Sequence, residues 1–263
     1  MINSMQAALI KKDLRGMISN KNTLIPVLVV PLMFTVLLPT IFILTIHFVP
    51  EESGDFQQML DLLPVGDLSG DLSRDITALL LNRIMPVFFM IIPIMAASVM
   101  AASPFVGEKE KRTLETLLYC PLSLRQIFHA KIFASFALSM LVSLASFLVM
   151  LVVTQVEILI ISGVGLPPDF TWLLTMLLIS PSLALIAITL IVRGSAKAKT
   201  MEESQQRSVF LILPMLALII GQFTGFLLIN ALFLLGFGAV LATIALLCIR
   251  ASVKKLNYET LSI

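Results

Sequence analysis

The stretch IFASFALSMLVSLASFLVMLVVT, residues 132–154, contains no charged side chain. A helix rises 1.5 Å per residue, so a run of this length crosses the roughly 30 Å hydrocarbon core of a bilayer. Working outward, five further runs have the same character: Leu24–Val49, Ile84–Val106, Trp172–Val192, Val209–Phe226 and Leu228–Ile249. The last two are joined through Gly225–Asn230 with almost no loop. Inside lipid every backbone polar group needs an internal partner, which leaves helices as the structure for such runs. The expected fold is all-α: a polytopic membrane protein with six transmembrane helices, forming one membrane domain over residues 1–263.

Whole-chain composition agrees. Of 263 residues 58% are hydrophobic and 13% charged, with a mean hydropathy of +1.02. Soluble domains carry roughly 25% charged residues. A water-soluble fold of this size has no interior large enough for so much apolar side chain, which excludes soluble enzymes and binding modules.

Basic residues cluster on the inner side of spanning proteins. With the N-terminus inside, the inner segments hold Lys11, Lys12, Arg15, Lys21, Lys109, Lys111, Arg112, Arg125, Lys131, Arg193, Lys197, Lys199, Arg207, Arg250, Lys254 and Lys255, and only Arg74 and Arg83 fall outside. Both termini are therefore expected in the cytoplasm of a cell whose plasma membrane holds the protein. The leading apolar run is too long for a cleavable signal and no small-residue cleavage site follows it, so the first span is expected to stay as an anchor.

Residues 2–20 precede the first span. Ile2, Met5, Leu9, Leu14, Met17 and Ile18 recur at helical spacing, with Lys11, Lys12 and Arg15 elsewhere around the axis. This pattern predicts an amphipathic helix in the inner interface, either a plain surface anchor or one that also touches a cytoplasmic partner. An outer loop is expected over residues 50–83. In it Asp67, Asp71 and Asp75 recur every fourth residue beside Leu68, Leu72 and Ile76. That spacing gives a surface helix at the outer mouth or a cation-gathering vestibule; the ligand order of a calcium loop is absent.

The stretch that bears on function is Ser103–Lys131, SPFVGEKEKRTLETLLYCPLSLRQIFHAK. Glu108, Lys109, Glu110, Lys111 and Arg112 form a mixed-charge cluster directly after the second apolar run. Leu114, Leu117 and Leu118 then make a short apolar face, which Pro121 ends. Ser123 is a suitable N-cap for the next helix, with Gln126 completing a capping box and Leu122 and Ile127 able to form a hydrophobic staple. Charges flanking a leucine face between two rigid spans suit either docking of a soluble protein or a membrane-surface helix.

These residues resemble the signature of the type-2 ATP-binding-cassette (ABC) permease family, a pattern close to E-[KR]-E-x-G-T-L-E-x-L-L-x-x-P-[LV]-S followed by a lysine. Glu108, Glu110, Thr113, Leu114, Glu115, Leu117, Leu118, Pro121 and Ser123 match, and Arg112 stands where glycine is common. Subunits for sodium export of the NatB kind, and permeases for drug or antimicrobial-peptide export, are the similar subgroup. The resemblance implies that residues 107–131 hold a cytoplasmic coupling helix and that the ATPase-coupling residues are Glu108, Lys109, Glu110, Lys111, Arg112, Thr113, Leu114, Glu115, Leu117, Leu118, Pro121 and Ser123. It further implies pairing with a second permease copy or paralogue, and binding to cytoplasmic ABC ATPase subunits that carry the ATP and magnesium. The sequence has no G-x-x-x-x-G-K-[ST] phosphate loop, so nucleotide chemistry is expected on the partner and no cofactor on this chain. The alternative function is a secondary carrier or channel working without an ATPase.

Charge inside the apolar runs is scarce. Glu157, Asn82, Arg83, Gln222 and Asn230 lie near their outer ends, and Ser139, Ser143, Ser146, Ser180 and Ser182 within them. The serines suit helix packing. The lack of a carboxylate relay argues against a proton-coupled carrier. Pro86, Pro93, Pro181 and Pro214 are expected to kink their helices. His47 and His129 are far apart and no H-E-x-x-H occurs, so no metal site or catalytic site is expected. Cys120 and Cys248 are expected to be inert inner-side thiols. Lipid is the surrounding medium, and no nucleic-acid partner is indicated.

Overall fold

The computed structural model describes residues 4–48, 72–108, 122–195, 198, 200–206, 208–223 and 230–254. Among these, helix is the only regular secondary structure. We number the helices α1 (Ser4–Ser19), α2 (Leu24–Phe48), α3 (Leu72–Gly107), α4 (Leu124–Ser162), α5 (Phe170–Ser195), α6 (Met201–Gln206), α7 (Val209–Phe223) and α8 (Ala231–Lys254). Among the described residues six helices are long and apolar enough to cross a membrane, the fifth comprising α6 and α7 together.

α3 is the axis of the bundle. In its most apolar stretch 83% of residues are buried, against 28% for α2 and 22% for α8. α4 and α5 pack along it, with α8 lying on α5. The main apolar cluster joins Met90, Ile94, Ala97 and Ala101 of α3 to Leu183, Ala187 and Ile191 of α5 and Phe128 and Ile132 of α4. Alanines on α3 let α5 approach closely, the usual device for helices packed in lipid. A second cluster joins Ile76 and Leu80 to Ile43 and Ile46 of α2 and to Trp172 of α5.

The helices outlast the apolar runs. α3 begins at Leu72, so residues 72–83, expected as loop, are helix. Ile76, Leu79 and Leu80 recur at helical spacing and are buried, which carries the helix through Arg74, Asp75 and Arg83. Asp67 and Asp71 lie outside the described residues, so the acidic stripe is seen only at Asp75. α4 likewise continues past Thr154 to Ser162, where Gly163 at φ 70° ends it with a left-handed cap donating to the Leu159 carbonyl. Its start shows the expected capping box: Gln126 N–H donates to Ser123 Oγ and Ser123 N–H to Gln126 Oε1. Leu122 and Ile127 share a cluster with Leu9 of α1. The turn expected over 225–230 lies outside the described residues except for Asn230, whose Oδ1 accepts from Phe233 N–H at 2.8 Å and caps α8.

Among the described residues four wide, π-helical turns interrupt the spans: Met33–Leu37, Leu80–Ile84, Ser103–Gly107 and Thr175–Ile179. Three of them end two residues before a proline, namely Pro39, Pro86 and Pro181. A proline ring clashes with the carbonyl four residues back and offers it no N–H. Widening the preceding turn relieves the clash. The fourth contains Pro104 itself. Of the prolines expected to kink the spans, Pro86 and Pro181 follow such a turn, whereas Pro93 and Pro214 lie in α-helical stretches without one.

Candidate functional site

The fourth wide turn builds the site. Pro104 has no N–H, so the Met100 carbonyl loses its helical donor; Ser135 Oγ of α4 supplies one at 3.1 Å. The turn also frees the Pro104 carbonyl, which accepts from Lys131 Nζ. The same ammonium donates to Glu108 Oε2, one residue past the end of α3, and lies 5.6 Å from the centre of the Phe105 ring. Lys131 is 3% exposed and Glu108 9% exposed. Glu108 and Lys131 thus close a buried ion pair across the two ends of residues 109–130.

The leading helix completes it. Leu9, Asp13 and Met17 are the buried face of α1, and they recur every fourth residue. Met17 packs against Ala96, Met100, Ala134 and Leu138 at the α3–α4 seam. This anchors α1 so that Lys12 Nζ reaches Glu108 Oε1 at 2.6 Å. Both Glu108 oxygens therefore accept from lysines. Burial pushes the Glu108 carboxyl up, but the charge of Lys131 and the hydrogen bonds from Lys12 and Lys131 outweigh it, leaving the group below its usual range. Asp13 sits 4.0 Å from Lys12 Nζ. Its Oδ2 is buried with no hydrogen-bond partner. Burial pushes this carboxyl up from 3.8 to about 6, with Lys131 opposing and Glu108 reinforcing the rise.

A third element meets the turn. α6 follows the loop after α5 and sets Met201 against Gly107; a Cβ on that glycine would lie 3.1 Å from Met201 Sδ. The absent side chain is what lets α6 approach. Arg193, at the head of this loop, donates to Ser252 Oγ at 3.0 Å and to the Cys248 carbonyl at 3.2 Å, tying α5 to α8. α6 is thereby packed onto the end of α3, at the root of the loop between the second and third spans.

Of the expected coupling residues, Glu108 and Ser123 are described: Glu108 at the centre of the ion cluster, Ser123 as the cap of α4. Lys109, Glu110, Lys111, Arg112, Thr113, Leu114, Glu115, Leu117, Leu118 and Pro121 lie outside the described residues, as does Cys120. Asp13 escaped the sequence reading. Its signal was present, because an acid between Leu9 and Met17 at four-residue spacing sits on the face that must be buried. Lys12 was placed only away from the apolar face of the helix, with no partner named, and it reaches Glu108. On α1 itself, Met5 and Ile18 are about half exposed although their spacing had placed them on the apolar face.

Elsewhere, several polar groups of the spans have structural partners, while Ser180 Oγ, Glu157 Oε2 and Gln222 Oε1 are buried without a hydrogen-bond partner. Glu157 accepts from Thr40 Oγ1 at 2.5 Å, joining α4 to α2. Gln222 donates to the Arg83 carbonyl at 2.7 Å. Ser139 and Ser143 are buried and donate to carbonyls of their own helix. Cys248 is a free thiol. Among the described residues no cluster of His, Cys, Asp or Glu could hold a metal ion.

Among the described residues the arrangement is electrostatic, a cluster of two carboxylates, Asp13 and Glu108, and two lysines, Lys12 and Lys131. Three helices and the start of a loop are locked by charges that water cannot easily replace. In comparison with known proteins, the profile described as ABC-2 family transporter protein matches residues 7–237. No curated protein and no solved structure gives a significant match.

Proposed function

This chain belongs to the ABC-2 family and is the membrane component of an ABC transporter, and from that premise we propose that it is the permease of an ATP-driven exporter whose ATPase is a separate polypeptide. Two permease chains, identical or paralogous, form the pathway, with both termini in the cytoplasm. The ATPase holds ATP and magnesium and docks on the segment from Lys109 to Pro121, with Glu108 and Ser123 at its two ends.

The observation that carries this reading is the Lys131–Glu108 pair. It fastens the entry and exit of that segment to each other and, through the Pro104 carbonyl, to the axial helix. Force applied to a segment with free ends would dissipate in the loop. Applied to one clamped at its root, it moves α3 and α4 together, and α1 and α6 move with them through Lys12 and Met201. Mechanical coupling needs such a clamp; a carrier without an ATPase does not.

The test is a cysteine placed at Leu117 and joined by a short bifunctional reagent to the phosphate-loop ATPase encoded nearest to its gene. We expect cross-linking in membranes and export that stops when ATP is withdrawn. Absence of the cross-link, with export unchanged in ATP-depleted vesicles, would return the chain to the carrier class.

A further inference from the structure

A cavity of about 220 Å³ opens between α1 and the end of α3. Its walls include Asp13, Lys12, Asn20, Ser103 and Glu108. Most of these groups are engaged, Glu108 and Lys12 with each other. Asp13 is only loosely engaged: it is 6% exposed, its Oδ1 lies 4.0 Å from a Lys12 ammonium that Glu108 already holds, and its Oδ2 has no hydrogen-bond donor.

We propose that this cavity binds a primary ammonium group linked to a phosphate, the ammonium donating to Asp13 and the phosphate meeting Lys12. Four features point to this chemistry. A buried carboxylate lacking a donor is costly, and a charged N–H donor is the partner that most favours its ionised form. Asp13 Oδ2 has no hydrogen-bond partner, so a bound ammonium has a vacant acceptor rather than an existing bond to displace. The cavity is several times the volume of one water, about 30 Å³ in the liquid. The Lys12 side chain is 60% exposed at the same site, which places a positive charge where the other end of a zwitterion would lie.

The position of the cavity suits a headgroup. It adjoins Ser103–Gly107, where the apolar run of α3 gives way to the charged Glu108. Both a phosphatidylethanolamine headgroup and a free phosphoethanolamine carry the required pair of charges. A quaternary ammonium, as in phosphatidylcholine, has no N–H to give Asp13, so the site should discriminate between the two headgroups.

The full-length protein is purified in mixed micelles containing equal amounts of phosphatidylethanolamine and phosphatidylcholine, and its retained lipid is weighed by native mass spectrometry. We expect the first to be retained several-fold over the second, with the preference lost in Asp13→Asn while phosphatidylcholine retention stays unchanged. In a second arm, thermal unfolding is followed with soluble phosphoethanolamine or phosphocholine. A rise in the melting midpoint with phosphoethanolamine alone, in the absence of lipid preference, assigns the site to a free amine. Equal retention of both lipids by the unmodified protein, with no shift from either soluble probe, overturns the proposal. So does an undiminished preference in Asp13→Asn.

Discussion

The two wide turns of α3 are the same backbone defect resolved in opposite ways. At Leu80–Ile84 the freed carbonyls take neutral donors: Trp172 Nε1 to Leu81 at 3.0 Å, Thr171 Oγ1 to Asn82 at 3.0 Å and Gln222 Nε2 to Arg83 at 2.7 Å. Phe89, Phe147 and Trp172 close over them with ring centres 5.3–6.0 Å apart. At Ser103–Gly107 the donors are a serine and an ammonium, and the ammonium is shared with a carboxylate. Neutral bonds in an apolar setting do not answer to pH and hold one geometry. Ion pairs depend on the protonation and position of every charge nearby. One end of the helix is built as a fixed joint and the other as a conditional one.

The harshest way to break this contrast is Lys131→Met, which leaves Glu108 buried beside a single half-exposed lysine. Removing one partner of a buried pair costs ~3–5 kcal/mol, read as a lower melting midpoint in detergent. Adding Glu108→Gln should recover a large part of the loss, because the stranded charge disappears with it.

Protonation sharpens the contrast next. The Asp13 carboxyl is raised from 3.8 to about 6, so the folded state binds the proton more tightly than the unfolded chain. Its contribution is fully present below the unfolded value of 3.8 and is lost as pH rises through about 6. At 1.36 kcal/mol per unit this is on the order of 2–3 kcal/mol. Glu108 is lowered from 4.5, so its contribution is present above 4.5 and lost as pH falls. The two slopes oppose each other in mildly acidic solution. Melting of lipid-free protein between pH 4 and 7 should show the Asp13 decline, and Asp13→Asn should remove it while keeping the acid-side loss due to Glu108.

The mildest test falls on the fixed joint. Trp172→Phe keeps the ring contacts and leaves the Leu81 carbonyl without its donor, at ~1–2 kcal/mol. The effect should be the same at pH 5 and pH 8, unlike those at the conditional joint. A pH-dependent result would erase the distinction between the two ends.

Much of this architecture could be read from residue order because it depends on local periodicity. Apolar runs locate the spans, and Ser123 with Gln126 marks the start of α4 through a bond between near neighbours. The Glu108–Lys131 pair was half legible: both belong to one quoted motif, yet nothing in their spacing says that a loop brings them together. Lys12 and Glu108 are 96 positions apart, and no period connects them. Asp13 was missed because only the basic charges of α1 were placed around its axis, although its four-residue spacing from Leu9 and Met17 put it with the apolar face. The early start of α3 was missed for a related reason. Hydropathy marks where lipid begins, whereas a helix continues as long as its buried face does.

A wide turn holds one residue more than an α-helix would need for the same advance. Each one therefore shifts the angular phase of everything downstream by about 100°. α3 contains two, and each turns the bearing at which Glu108 emerges by about that angle. The direction in which the chain leaves the bundle toward Lys109 is thus set by two inserted residues far apart along the same rod, and straightening either one would swing that exit to a different side of the molecule.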